Sequence, residues 1–340
     1  MIAVDRLVAA VVLMPPLFAH GAGLAASLHA DVVLAAQHAT HVRAKFTKVR
    51  TVSFSIRPEE RMPLCPAPIA FSPDGRLLAV GDVFGRLTLL DTATWKERKR
   101  LAGHRRLVHS LTFSSDSRTL ASKGDDDKIK LWEVATLRER LLVDAGNAVG
   151  PELEICPNGR LLAAGGALWD LGTGQGLPVP PDLQRWFSSF AFSPDGSMLA
   201  LSRGSKVRFV SPSTRGVMKT IKTKSQSIDS IRFSRDGSVL AIGDFDGRVS
   251  LWEVCSGKIK ATPHFPGRRI EGLSISGDNN YLAAYCPELH RTVVIDACTG
   301  ELLKGLPANN EKFAFAPSGA TLAIIGEHGV IEVFEVQSAR

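Results

Sequence analysis

His104, Ser122 and Asp126 are the residue types that make a general base, a nucleophile and the carboxylate that orients the base. A working triad needs its hydroxyl exposed beside a pocket with oxyanion donors. The same three also suit a buried hydrogen-bond set, because a histidine away from water needs polar partners. Asp125, Asp126 and Asp127 form an acidic run, with Asp244 and Asp246 further along. A calcium loop requires a longer ladder of oxygens ending in a bidentate Glu, so both stretches read as turns and no metal is expected. Gly172, Gly174 and Gly176 lie between two predicted strands instead of opening a helix, which makes them a turn and not a phosphate cradle. His38 and His41 have ligand-like spacing but no third ligand. The runs G-x-x-x-x-G-K-S/T, H-E-x-x-H and G-x-S-x-G do not occur. The common nucleotide, zinc-protease and serine-hydrolase signatures are therefore missing, and no cofactor is expected.

Five cysteines, Cys65, Cys156, Cys255, Cys286 and Cys298, are an odd, widely spaced set without a C-x-x-C pair, which reads as thiols in a reducing compartment. A hydrophobic fraction of 44% with 22% charged residues excludes wholesale disorder and fibrous composition. The 41 Lys+Arg against 34 Asp+Glu give a net charge of +7. The basic residues read as scattered among acidic ones with few interleaved aromatics, so the charge is taken as a solubility contribution and no specific nucleic-acid binding is expected.

The elements that must carry these residues come from an internal repeat. Copies read FSPDGRLLAVG from Phe71, FSSDSRTLASK from Phe113, ICPNGRLLAAG from Ile155, FSPDGSMLALS from Phe192, FSRDGSVLAIG from Phe233, ISGDNNYLAAY from Ile275 and FAPSGATLAII from Phe315. The anchors are spaced 42, 42, 37, 41, 42 and 40 residues apart. A period near 40 with short alternating segments predicts four strands per unit, the pattern of a propeller blade. Ser72-Pro73-Asp74-Gly75 supplies the turn chemistry, Leu77–Val80 a buried strand, and Lys128–Trp132 a strand with alternate side chains inward. Charged segments such as Lys96–Leu101 predict an exposed outer strand that resists edge pairing.

These residues resemble the WD-repeat family of β-propellers over roughly 46–340. The likeness is sharpest in the second unit, where Gly103-His104, Ser122, Asp126 and Leu131-Trp132-Glu133 fall at the family's positions. Trp169-Asp170 and Trp252-Glu253 keep the dipeptide, while the other units are degenerate. The resemblance implies that His104, Ser122, Asp126 and Trp132 form a buried structural network and that the chain is a non-catalytic scaffold for protein or peptide binding in a multiprotein complex. The expected architecture is all-β: a seven-bladed propeller of four-stranded antiparallel blades. The last unit stops at Val336 after its third strand, so residues 46–56, which are β-rich, are expected to complete that blade and close the ring.

Loops at one rim carry Phe84, Arg105, Arg106, Trp186, Arg203, Phe245, Arg268 and Arg269. These types are enriched in interface hot spots, and their basic members fit an acidic partner. The alternative is that the aromatics pack under their loops and the arginines are merely solvated. A second class of function, a lactonase-like hydrolase or cofactor-dependent dehydrogenase, would need convergent acid and base groups at the channel mouth. The first strands around 110–114, 189–192 and 229–233 offer none. Residues 1–45 are read as an apolar extension. Arg6 and the apolar run after it fit a secretory signal, and a loosely ordered tail of a cytoplasmic protein is the competing reading. The uninterrupted run is too short for a membrane span. A monomeric cytoplasmic propeller within a larger assembly is the expectation.

Overall fold

The turn that punctuates five of the seven repeats is built by its own side chains. Ser72 Oγ donates to Asp74 Oδ1 at 2.6 Å and accepts from the Leu77 amide at 2.9 Å, which folds the chain back on itself. Ser114 with Asp116, Ser193 with Asp195, Ser234 with Asp236 and Ser276 with Asp278 repeat the contact. The hydroxyl bond holds the carboxyls of Asp116, Asp195 and Asp236 below their ordinary range. The structure, a computed structural model, describes residues 44–53, 68–145, 152–177, 188–263, 269–307, 312–317, 319, 321–326 and 330–338. The apolar extension up to residue 43, with His38 and His41, lies outside the described residues, as do Cys65, Trp186 and Arg268.

Twenty-eight strands form seven antiparallel four-stranded sheets, with a single 3-10 turn at Pro287–Leu289 among the described residues. Blade 1 is β2 (Ile69–Phe71), β3 (Leu77–Gly81), β4 (Arg86–Asp91) and β5 (Glu97–Ala102); blade 2 is β6 (Val108–Phe113), β7 (Thr119–Gly124), β8 (Lys128–Glu133) and β9 (Glu139–Asp144). Blade 3 is β10 (Leu153–Ile155), β11 (Leu161–Ala164), β12 (Ala167–Asp170) and β13 (Gly176–Leu177); blade 4 is β14 (Ser189–Phe192), β15 (Leu199–Arg203), β16 (Lys206–Val210) and β17 (Val217–Lys222). Blade 5 is β18 (Ile228–Phe233), β19 (Val239–Asp244), β20 (Val249–Glu253) and β21 (Ile259–Ala261), and blade 6 is β22 (Gly272–Ile275), β23 (Tyr281–Cys286), β24 (Arg291–Asp296) and β25 (Leu302–Pro307).

Blade 7 is composite: β26 (Phe313–Phe315), β27 (Thr321–Ile325) and β28 (Val330–Ser338) are joined by β1 (Ala44–Ser53), antiparallel to β28 from Ala44 opposite Ser338 to Ser53 opposite Val330. The closing strand thus begins two residues before position 46, and residues 54–56 lie outside the described ones. Its partner runs to Ser338, two residues beyond the expected end.

Each sheet has two faces to bury, and each buries them against its neighbours. Seven apolar clusters sit one between each pair of adjacent blades. The cluster between blades 7 and 1 contains Val52 of β1 with Leu78, Val80, Leu90, Ile331 and Val333, so the closing strand contributes to the core as well as to the ladder.

Blade 3 explains the one short spacing. Its second hairpin turns through Gly165-Gly166 with φ of 51° and 80°, a two-residue turn that needs glycine. Paired from Leu161 to Asp170, it uses ten residues where blade 2 uses fifteen from Thr119 to Glu133. Its outer strand has two residues against six in blade 2.

Candidate functional site

Alternation along each blade puts the second hairpin turn and the connection into the next blade on one face of the ring, called the top face below. In blade 2 that face is organised by His104. The ring lies between Asp126 Oδ1, 2.8 Å from Nδ1, and Ser122 Oγ, 2.8 Å from Nε2. Trp132 Nε1 donates to the same Ser122 Oγ at 2.9 Å. One proton serves each bond when the histidine is neutral: Nδ1–H donates to Asp126, and the Ser122 hydroxyl donates to Nε2 while accepting from the indole. Burial pushes the His104 pKa down, against the opposing pull of Asp126, so the ring stays neutral. Burial also raises the Asp126 carboxyl, but bonds from His104 and the Arg105 amide outweigh it and leave it below its usual range.

The geometry is that of a triad, yet Ser122 and the His104 side chain have zero exposure. A substrate reaches neither the hydroxyl nor the base, and the serine lone pair that would attack is held by the indole N–H. Gly124 makes room for the ring: a Cβ there would stand 2.5 Å from His104 Cγ and Nδ1.

The rim residues separate into three places. Phe84 is 40% exposed on the blade 1 hairpin, with the Arg86 guanidinium 4.9 Å above its ring. The Gly85 carbonyl of that hairpin accepts from the Gly103 and His104 amides, which sets it beside exposed Arg105 and Arg106. Phe245 is 58% exposed on the blade 5 hairpin and touches Arg269, whose guanidinium lies 5.5 Å from the ring. Arg269 is not simply solvated, because its side chain bridges Asp229 and Glu271, both at 2.8 Å. The Asp229 bond is the main reason its pKa is raised. Arg203 lies apart, exposed at the blade 4 turn.

The channel corrects the expectation that the first strands around 110–114, 189–192 and 229–233 offer no acid or base group: Asp229 and Arg232 line it, together with a pair of acids at 152 and 154. A cavity of about 350 Å³ along the inner strands is lined by Glu152, Glu154, Asp229 and Glu271, with Arg232 and Lys312 as cations and His109 beside them. Glu152 accepts from Ser189 Oγ at 2.7 Å and the Phe190 amide at 2.8 Å, and Glu154 accepts from the Phe192 amide at 3.1 Å. Arg232 reaches Glu152 at 3.4 Å. Both carboxylates therefore cover the open edge of β14 in the next blade, whose amides have no strand to pair with on that side. Loss of hydration raises both acids, Glu154 to about 7, with Arg232 pulling the other way. The missed signal was the alternation in Glu152-Leu153-Glu154-Ile155, which puts two acids on one side of an inner strand. Among the described residues no group of three His, Cys, Asp or Glu is placed to hold a metal ion.

The family described as "WD domain, G-beta repeat" matches residues 95–133 and 216–253. The β-propeller domain of Myceliophteria thermophila Cps50 (Swd1) superimposes with a TM-score of 0.71 at 20% identity, covering 81% of this chain and 98% of that one. The chain is a seven-bladed β-propeller in which two stretches match the WD40 repeat. Mouse telomerase protein component 1 is 31% identical over 196 residues, 55% of this chain but 7% of that protein. The rice small ribosomal subunit protein RACK1y is 28% identical over 166 residues, 45% of this chain and 49% of that one. The propeller thus spans a small part of the telomerase component and about half of the rice protein.

Each matched WD40 stretch starts near the outer strand of one blade and ends in the third strand of the next, which is why the N-terminal strand is needed to finish blade 7. The second matched stretch keeps Trp252 but not its partners. At the offsets of His104, Ser122 and Gly124 from their anchor, blade 5 has Lys224, Ile242 and Asp244, and Trp252 Nε1 is buried without a hydrogen-bond partner among the described residues.

Proposed function

We propose that this WD40 propeller is a non-catalytic scaffold whose loop faces hold another protein or peptide, as a monomeric disc within a larger cytoplasmic assembly. The observation that carries the reading is the closed triad: the best-placed catalytic constellation is shut inside blade 2, where it ties the entering loop to the hairpin and leaves Arg105 and Arg106 outside. The exposed aromatic and basic side chains of the rim sit on turns fixed by their own hydrogen bonds, a rigid presentation suited to recognition. Relatives that share the repeat include long proteins in which this fold is one part.

A second reading, a propeller enzyme, rests on Glu154, whose near-neutral pKa beside Glu152 and Arg232 is the property of a general acid or base. Affinity purification with mass spectrometry, run beside a thermal-shift screen of metals and small molecules, decides between them. The scaffold predicts a stoichiometric protein partner weakened by Arg105→Glu/Arg106→Glu. A small molecule whose stabilisation disappears in Glu154→Gln would replace it with the enzyme.

A further inference from the structure

Blade 4 does not share the charge pattern of the rest of the ring. Residues 188–227 contain seven Lys or Arg (Arg203, Lys206, Arg208, Arg215, Lys219, Lys222 and Lys224) against one acid, Asp195, so this blade carries nearly all of the chain's +7. The reading of the basic residues as evenly scattered is therefore corrected. Strand register collects them: Arg203 of β15 stands opposite Lys206 of β16, and Lys206 stands opposite Lys222 of β17. Three cations form one row across three strands about 4.8 Å apart, an arrangement that is destabilising by itself.

Blade 2 fills the same place with an acid. There Lys128 stands opposite Asp144 and bonds it at 2.6 Å, and Lys130 bonds Glu139 at 2.8 Å. In blade 4 the acid opposite Lys206 is replaced by Lys222. Arg203, Lys206 and Lys222 are all exposed, and among the described residues none of them forms an ion pair with a carboxylate. The row continues the face on which Leu199 and Leu201 pack against blade 3, but at a level that the shortened hairpin of blade 3, about two residues per strand lower than its counterparts, does not reach. A cavity of about 580 Å³ opens there, and its described lining, including Arg203, Gly204, Ser205, Lys206 and Gln226, belongs wholly to blade 4 and the residues just after it. Among the described residues β17 pairs with β16 alone, which leaves its outer edge open.

We propose that this row of Arg203, Lys206 and Lys222 beside the open edge of β17 docks an extended acidic segment of a partner protein, whose carboxylates take the place that Asp144 holds in blade 2. The site rests on the scaffold reading and adds to the Arg105 rim a second contact surface with its own partner chemistry. Side chains alternating along an extended peptide present every second carboxylate to one side, which matches a sheet face, and the open β17 edge offers backbone hydrogen bonds. A nucleic acid fits less well because the described lining has no aromatic ring for a base to stack on.

The test uses a labelled synthetic peptide of alternating glutamate and threonine, with an alternating lysine and threonine peptide as control, and the full chain. The wild type binds the acidic peptide, more weakly as salt rises, and ignores the basic one. Lys222→Asp, which gives Lys206 an internal partner, weakens binding about tenfold without lowering the melting temperature, while Arg105→Glu/Arg106→Glu changes it by less than about twofold. Undiminished binding in a folded Lys222→Asp protein overturns the site, as does no binding by the wild type, or equal displacement of the peptide by single-stranded DNA. Binding lost in Arg105→Glu/Arg106→Glu alone overturns the blade 4 site yet leaves the scaffold standing, whereas a stoichiometric protein partner absent from purification removes the scaffold whatever the peptide does.

Discussion

Blades 2 and 5 have the same tryptophan and second hairpins of equal length, Thr119–Glu133 and Val239–Glu253, yet they hold their top loops by different means. Blade 2 leaves a space at Gly124 and fills it with an imported ring, His104, fixed by Asp126, Ser122 and Trp132. Blade 5 puts an acid at that position: Asp244 Oδ1 accepts the Asp246 and Arg248 amides at 3.0 and 2.9 Å and orders its turn locally. Burial raises the Asp244 carboxyl, so this solution strains its own acid. The first arrangement couples two stretches of chain, and the second stays within one hairpin. A shared tryptophan is therefore no guide to a shared network, because the indole N–H of Trp252 has lost the serine it would need.

The comparison breaks most sharply at Gly124. Gly124→Ala places a methyl group within the His104 ring and should destabilise the fold by about 3 kcal/mol, from overpacking and loss of the buried bonds together, measured by chemical denaturation. A value near zero would mean that the ring moves aside freely and that the network is not what holds the loop.

Smaller, and more pointed, is the contrast between two indoles. Trp132→Phe removes a satisfied donor and leaves Ser122 with one bond fewer, for about 1–2 kcal/mol beyond the change in packing. Trp252→Phe removes a donor that has no partner and should fall short of that loss by about 1 kcal/mol or more. Equal losses would show that Trp252 has a partner after all.

A further contrast lies in pH dependence. His104 titrates below its unfolded value near 6.5, so the folded protein binds fewer protons and stability falls as pH drops below about 6.5. Glu154 has the opposite sign: its folded pKa of about 7 exceeds the ordinary 4.5, so stability falls as pH rises between the two. Melting curves of His104→Gln and Glu154→Gln across pH 5 to 8 should separate the two slopes, the first removing the acid-side loss and the second the neutral-side loss. Parallel curves for both variants would remove titration as a contributor.

The ring was legible because turn residues and anchor spacing repeat, and periodicity needs no knowledge of contacts. The closing strand was legible too, since a final unit lacking its outer strand must find one, although its register and its start at Ala44 depend on which side chains of β28 face inward. At the network, residue types pointed to His104, Ser122, Asp126 and Trp132, but no local pattern says that Gly124 makes the space. The carboxylates at 152 and 154 and the cation row of blade 4 escaped for a related reason. Lys206 and Lys222 are ordinary lysines along the chain, and only strand register sets them side by side. Trp186 and Arg268, expected at the rim, lie outside the described residues.

The pairing of Ala44 with Ser338 sets an order on synthesis. A ribosome delivers β1 first and β28 last, and blade 7 has no complete sheet until nearly the whole chain has emerged. Until then β1 is a strand without a ladder, and blades 1 and 6 each expose an apolar face that the composite blade will cover. Among the described residues closure is the strand pairing of longest sequence separation and should form slowly. A circular permutant that joins 338 to 44 and opens the chain within an exposed turn of another blade would make that pairing local and should refold faster than the natural order while reaching the same ring.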